Sequence, residues 1–143
     1  MKMILTFVLT IAASVAILHA GDKPVSVDRL PVAARAFITE NYPDDKISYA
    51  TVDDDFIRPD YKVVLANGVK IEFDNSGALE KIESLDGVPE SLVPVQVKEY
   101  ISVYYPDAKV VDYEIGRRTY DVKLSNRLEL KFNSRFALVE IDD

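Results

Sequence analysis

Apolar and polar positions along this chain keep two different periods. Leu30, Ala34, Phe37, Ile38 and Tyr42 recur at three- and four-residue spacing, as do Val97, Tyr100, Ile101, Tyr104 and Tyr105. One-sided spacing of that kind predicts an amphipathic helix whose aromatic stripe faces a core. Asp28 and Ser91 stand three residues before Pro31 and Pro94, and both are residue types that cap helix N-termini. Proline is tolerated in a first turn, where N–H groups have no intrahelical partner. Tyr42-Pro43 and Tyr105-Pro106 end the two helices, because a residue before proline avoids the α region.

Elsewhere the period is two. Tyr61, Val63 and Leu65 alternate with Lys62, Val64 and Ala66, and Val69, Ile71 and Phe73 alternate with Lys70, Glu72 and Asp74. A two-residue turn at Asn67-Gly68 would set core side chains opposite solvent ones. A three-residue loop, Ala66 to Gly68, instead pairs Leu65 with Val69, Val63 with Ile71 and Tyr61 with Phe73. Such a loop needs Gly68 in the left-handed region. The same rule applied further on pairs Leu124 with Leu128, Val122 with Leu130 and Tyr120 with Phe132, with Arg127 at the place of Gly68. On the other face it sets Lys62 against Glu72, Asp121 against Lys131 and Lys123 against Glu129. Opposite charges across strands contribute about 0.2–1 kcal/mol each, so these residues are accounted for by sheet stability before any ligand is invoked. Flanking strands are predicted at 46–52 and 109–115, and at 78–84 and 137–143. Leu79 and Ile82 lie three apart, which predicts a bulge or an edge there.

The two sets of elements are copies of one unit. Residues 30–46 match 93–109 at an offset of 63, and after a four-residue excess around Asp53 the offset becomes 59, carrying Tyr61, Val63, Leu65, Asn67 and Phe73 onto Tyr120, Val122, Leu124, Asn126 and Phe132. A single duplication of this length predicts paired subdomains rather than a solenoid. The expected fold is α+β: two tandem units, 27–84 and 90–143, each one helix and a four-stranded antiparallel meander. In each unit the helix covers one face of its sheet.

The first 20 residues carry a different pattern. Lys2 precedes an uncharged apolar run over 4–18, and Leu18-His19-Ala20 ends in a small residue. That is the pattern of a secretory signal peptide, and about 15 apolar residues is short of the roughly 20 that span a membrane. The expected mature chain, 21–143, is one domain with no membrane span. It lacks cysteine, and the single histidine, His19, leaves with the signal. Disulfides, thiolate chemistry, His-ligated zinc and Ser-His-Asp catalysis are therefore excluded from it. Its net charge moves from −7 to −8 as Lys2 leaves with no acid, a balance opposed to nucleic-acid binding.

Leu-Pro before a helix closed by Tyr-Pro, then Tyr-x-Val-x-Leu-x-Asn-Gly and Phe-Asp-Asn-Ser-Gly, resembles the PepSY-like, β-lactamase-inhibitor-like secreted proteins. The resemblance covers roughly 27–143 in two copies, and its motifs are structural rather than catalytic. It implies two tandem helix-plus-sheet units joined into one continuous antiparallel sheet with the helices on one face, in a periplasmic or exported bacterial protein. It also implies recognition of a protein through the open sheet face and hairpin loops. The chain departs from the inhibitor that lends the family its name in having no disulfides, and its second unit departs from its first, with Arg127 and Arg135-Phe136 where Gly68 and Ser76-Gly77 stand.

Candidate contact residues lie in loops and on the open face. Asp53, Asp54 and Asp55 form an acidic run whose counterpart holds Arg117 and Arg118. The acidic run lacks the glycine and distal glutamate of an EF-hand loop, so a solvated loop is expected rather than a metal site. Tyr49 and Val64 fall on the open face by parity. The expectation is a non-enzymatic module that binds or inhibits an unidentified protein or peptide through these residues, without cofactor or metal. Two other classes stay open: an accessory domain of a cell-envelope complex, and a carboxylate-based hydrolase, for which no converging acid pair is visible.

Overall fold

A computed structural model describes residues 22–54 and 57–143; the segment expected to be a signal peptide and Asp55 lie outside the described residues. Among the described residues two α-helices, α1 (Val32–Asn41) and α2 (Val95–Tyr104), accompany nine strands. The strands are β1 (Asp22–Pro24), β2 (Ile47–Asp53), β3 (Asp60–Leu65), β4 (Lys70–Phe73), β5 (Leu79–Glu83), β6 (Val110–Ile115), β7 (Thr119–Leu124), β8 (Glu129–Asn133) and β9 (Leu138–Asp142). They form one open antiparallel sheet in chain order. Each strand therefore pairs with its predecessor, and α2 is carried in the connection from β5 to β6.

The hairpin registers follow side-chain parity. Tyr61 faces Phe73 and Val63 faces Ile71, while Tyr120 faces Phe132 and Val122 faces Leu130. Leu65 N–H donates to the Val69 carbonyl at 2.9 Å and Leu124 N–H to that of Leu128 at 2.8 Å, closing both three-residue loops. Gly68 has φ +92° and Arg127 has φ +74°, so the loop takes its left-handed residue whether or not it is glycine. Bulges set Leu79 opposite Phe73 and Leu138 opposite Phe132, one residue out of step with the pairs that follow.

One face of the sheet is the core. Val63, Ile71, Phe73, Ile82, Val122, Leu130 and Phe132 are buried there with Ala34 and Ile38 of α1 and Val97 and Ile101 of α2. Phe37 meets Phe73 edge-on at 5.5 Å, and Tyr100 meets Phe132 at 5.7 Å, so each helix is fixed over its own hairpin by an aromatic pair. Tyr104 departs from the predicted stripe: it is 63% exposed, its ring resting on Tyr100 at 4.6 Å.

The helix starts also differ from expectation. Asp28 and Ser91 lie in separate one-turn 3₁₀ helices, Val27–Arg29 and Glu90–Leu92. Pro31 and Pro94 are themselves the N-cap residues, with no side-chain cap. A proline in extended conformation stops the 3₁₀ turn from running on into the helix. Strand β1 was unforeseen, since three residues containing a proline carry no alternation to read.

Candidate functional site

The face away from the helices is lined by the alternate residues of each strand, and its two halves differ in chemistry. In the first half Tyr49 lies opposite Val64 in the β2–β3 register. Tyr49 is 41% exposed and Val64 is half-buried, forming a pair next to the Thr51–Lys62 pair on the same face. Beside it the Lys62 ammonium lies 3.5 Å from the Glu72 carboxylate, as the hairpin register predicts. The corresponding register in the second half sets Asp112 opposite Lys123. Lys123 lies 3.8 Å from Glu129, again as predicted. Asp121 is opposite Lys131 in the register, but the Lys131 ammonium turns outward to Glu140 at 3.3 Å. A long flexible stem reaches either neighbouring strand, so register alone leaves the choice of carboxylate open.

A shallow hollow of about 420 Å³ spreads over β5 to β9 on this face. Among its lining residues is Asp112, which β5 and β6 bring against Lys81 at 3.4 Å, with Glu83 sharing the same ammonium at 3.9 Å. Burial is the largest influence on the Asp112 carboxyl and outweighs the attraction of Lys81, and Glu83 adds repulsion, so its pKa rises to about 6. Lys81 is pushed the other way, above the ordinary lysine range: its own burial opposes this, but Asp112 and Glu83 prevail. The pair is lopsided because one ammonium serves two carboxylates. Asp112 was not among the candidates, and local pattern offers no route to it, because its environment depends on β5 meeting β6.

A second, acidic hollow of about 140 Å³ lies over β1 to β5 near the end of the first half. Asp22, Asp53 and Asp60 form a row across β1, β2 and β3. Burial, then the charges of Asp53, Asp74 and Glu72, raise the pKa of Asp60, and burial followed by neighbouring acids does the same to Glu80. Among the described residues no three acidic, histidine or cysteine side chains are arranged to hold a metal ion.

The two charged loops project from the same end of the sheet, since β2–β3 and β6–β7 turn in the same sense. The strands that carry them are four steps apart in the sheet. They are built differently. Gly116 N–H donates to the Thr119 carbonyl at 2.8 Å, holding exposed Arg117 and Arg118 on a tight turn. Asp54 is tied back to Lys23 of β1 at 3.1 Å. Asp54 is therefore partly neutralised by a strand that the sequence did not reveal, whereas no ion pair holds the arginines at their turn's exposed tip among the described residues.

The profile of a family described as "Putative beta-lactamase-inhibitor-like, PepSY-like" matches residues 59–140. A structure described as a "putative calcium-regulated periplasmic protein" from Bacteroides thetaiotaomicron is 40% identical, covers 85% of this chain and 97% of its own, and superposes with a TM-score of 0.82. A periplasmic protein from Bacteroides vulgatus is 38% identical over 85% of this chain and 97% of its own, with a TM-score of 0.81. A second one from that organism, of unknown function, is 31% identical over 86% of this chain and all (100%) of its own, also at 0.81. No curated protein matches the chain. No helix among the described residues is long and apolar enough to cross a membrane.

Proposed function

The chain belongs to the PepSY-like, β-lactamase-inhibitor-like family and is periplasmic, and from that premise we propose that it is a non-enzymatic module that binds or inhibits a protein or peptide through its open sheet face and adjoining loops. The observation that carries this reading is the asymmetry of the sheet. Both helices are spent on one face, and the other presents Tyr49 and Val64 beside ion pairs, with Arg117 and Arg118 at its rim. An exposed tyrosine within a charged surround is a common anchor of protein interfaces. We also read residues 27–84 and 90–143 as tandem units of one domain. In support, both helices start on a proline with ψ 143° and end on a tyrosine near φ −137° and −138°.

The hydrolase reading has one observation in its favour, the raised pKa of Asp112. Against it, the second carboxylate beside Asp112, that of Glu83, lies next to it on the same open sheet face and shares Lys81 with it, rather than facing it across a cleft. The accessory-domain reading uses the same face and differs only in the partner.

Affinity capture from the native envelope identifies the partner, and binding kinetics at two ionic strengths then test the surface. Arg117→Glu with Arg118→Glu is expected to slow association and change its salt dependence with thermal stability nearly unchanged, and Tyr49→Ala to speed dissociation. If neither variant alters binding while substitutions on exposed α1 and α2 positions abolish it, the open-face reading is wrong.

A further inference from the structure

Ile82 and Ile141 occupy the same place in their hairpins, opposite Ile71 in β5 and opposite Leu130 in β9. Ile82 is fully buried, at 0% exposure, whereas Ile141 is 48% exposed. The difference is one strand. β6 lies along the outer edge of β5, with Tyr113 opposite Ile82, Glu114 opposite Lys81 and Asp112 opposite Glu83. β9 is the last strand of the sheet and has no such neighbour among the described residues. Its outward N–H and C=O groups are a template for a further strand. The molecule thus contains both the filled and the open version of one edge.

The filled version specifies what would fit the open one. Tyr113, 2% exposed, shows that an aromatic ring opposite the isoleucine is buried on the core face. The flanking positions differ in charge. Where β5 has Lys81 and Glu83, β9 has Glu140 and Asp142, and Asp121 and Glu129 line the hollow beside them. The Lys131 ammonium meets Glu140, leaving this corner of the sheet with an excess of carboxylates.

We propose that β9 binds an extended basic segment of another protein as a tenth antiparallel strand, with an aromatic or large aliphatic residue opposite Ile141 and lysine or arginine opposite Glu140 and Asp142. Main-chain hydrogen bonds supply affinity in such strand addition, and alternate side chains supply selectivity. A second copy of the chain fits poorly. Pairing β9 with β9 sets Glu140 and Asp142 against like charges, and β1 offers only three residues including Pro24, which lacks an N–H. The proposal is independent of the open-face reading, since Tyr49 and Val64 lie toward the opposite end of the sheet.

The test titrates a blocked peptide, Lys-Val-Lys-Tyr-Lys-Val-Lys, into the ¹⁵N-labelled protein. Amide shifts should concentrate on residues 138–142, with slowed hydrogen exchange at the outer edge of β9. Glu140→Lys with Asp142→Lys should weaken binding by about tenfold or more, and Ile141→Ser should weaken it without a change in fold. A peptide with glutamate in place of lysine should not bind, nor should one N-methylated at alternate residues to remove its strand donors. No binding of the basic peptide, equal binding of its N-methylated form, or shifts confined to the hollow around Asp121 would each overturn the proposal. So would self-association of the peptide-free protein lost on Ile141→Ser, which would make a second copy the occupant.

Discussion

Strands β2 to β5 and strands β6 to β9 repeat the same backbone turns with different side chains. At the end of the β4–β5 and β8–β9 turns the residues are Gly77 and Phe136, at φ +87° and +59°. A Cβ on Gly77 would lie 2.8 Å from both the Ala34 nitrogen and the Pro31 Cβ, so α1 is seated directly on that turn. Phe136 instead carries a full aromatic side chain there and packs on Tyr120 at 4.9 Å. Asp74 and Asn133 fold the two turns alike: Asp74 Oδ1 accepts from the Ser76 and Ala78 N–H groups, and Asn133 Oδ1 from those of Arg135 and Ala137. The lesson is that the turn imposes the left-handed residue, and the packing around it decides whether glycine is required.

The largest expected effect tests that distinction. Gly77→Ala should destabilise the protein by about 2–4 kcal/mol, because backbone strain and a clash with the start of α1 add. Phe136→Gly should stay within about 1 kcal/mol of neutral, as relief of strain offsets the lost ring contact. Denaturant titration of both variants checks this; equal losses would mean that the halves seat their helices alike.

The β3–β4 and β7–β8 loops sharpen the comparison at smaller amplitude. A Cβ on Gly68 meets nothing within 4 Å, so only its φ matters. Gly68→Val should cost about 1–2 kcal/mol, and Arg127→Gly should gain a few tenths to about 1 kcal/mol. Asn67→Ala should cost less than Gly68→Val but more than nothing, since Asn67 Oδ1 accepts the Val69 N–H at 3.0 Å. Chemical denaturation with an unchanged m-value is the check.

The smallest effect concerns the open face, where Tyr49 in one half corresponds to Asp112 in the other. The pKa of Asp112 is about 6 in the folded protein, above the unfolded value near 3.9. The folded state therefore binds the proton more tightly, and this carboxyl's contribution to stability is fully present below about pH 4 and lost as pH rises through about 6. Asp112→Asn should remove that decline, leaving stability at pH 4 nearly unchanged and raising it by on the order of 1 kcal/mol at pH 7.5. Thermal melts across pH 4–8 measure it, and a Tyr49→Phe variant should leave the same profile unaltered.

What the sequence by itself determined is local. Parity and a three-residue loop suffice to pair Tyr61 with Phe73 and Tyr120 with Phe132, because a one-residue slip would turn every core side chain to solvent. The same parity placed Tyr49 and Val64 on the open face, and the spacing of Leu79 and Ile82 announced the bulge. Which strands meet across a long connection has no such local signal, since the helix between β5 and β6 separates the partners. Tertiary structure alone put Tyr113 over Ile82 and Asp112 against Lys81, added β1 with Lys23 against Asp54, and left Ile141 uncovered. The burial and the charge of those residues belong to the strand beside them, and that neighbour is chosen only when the whole sheet closes over its helices.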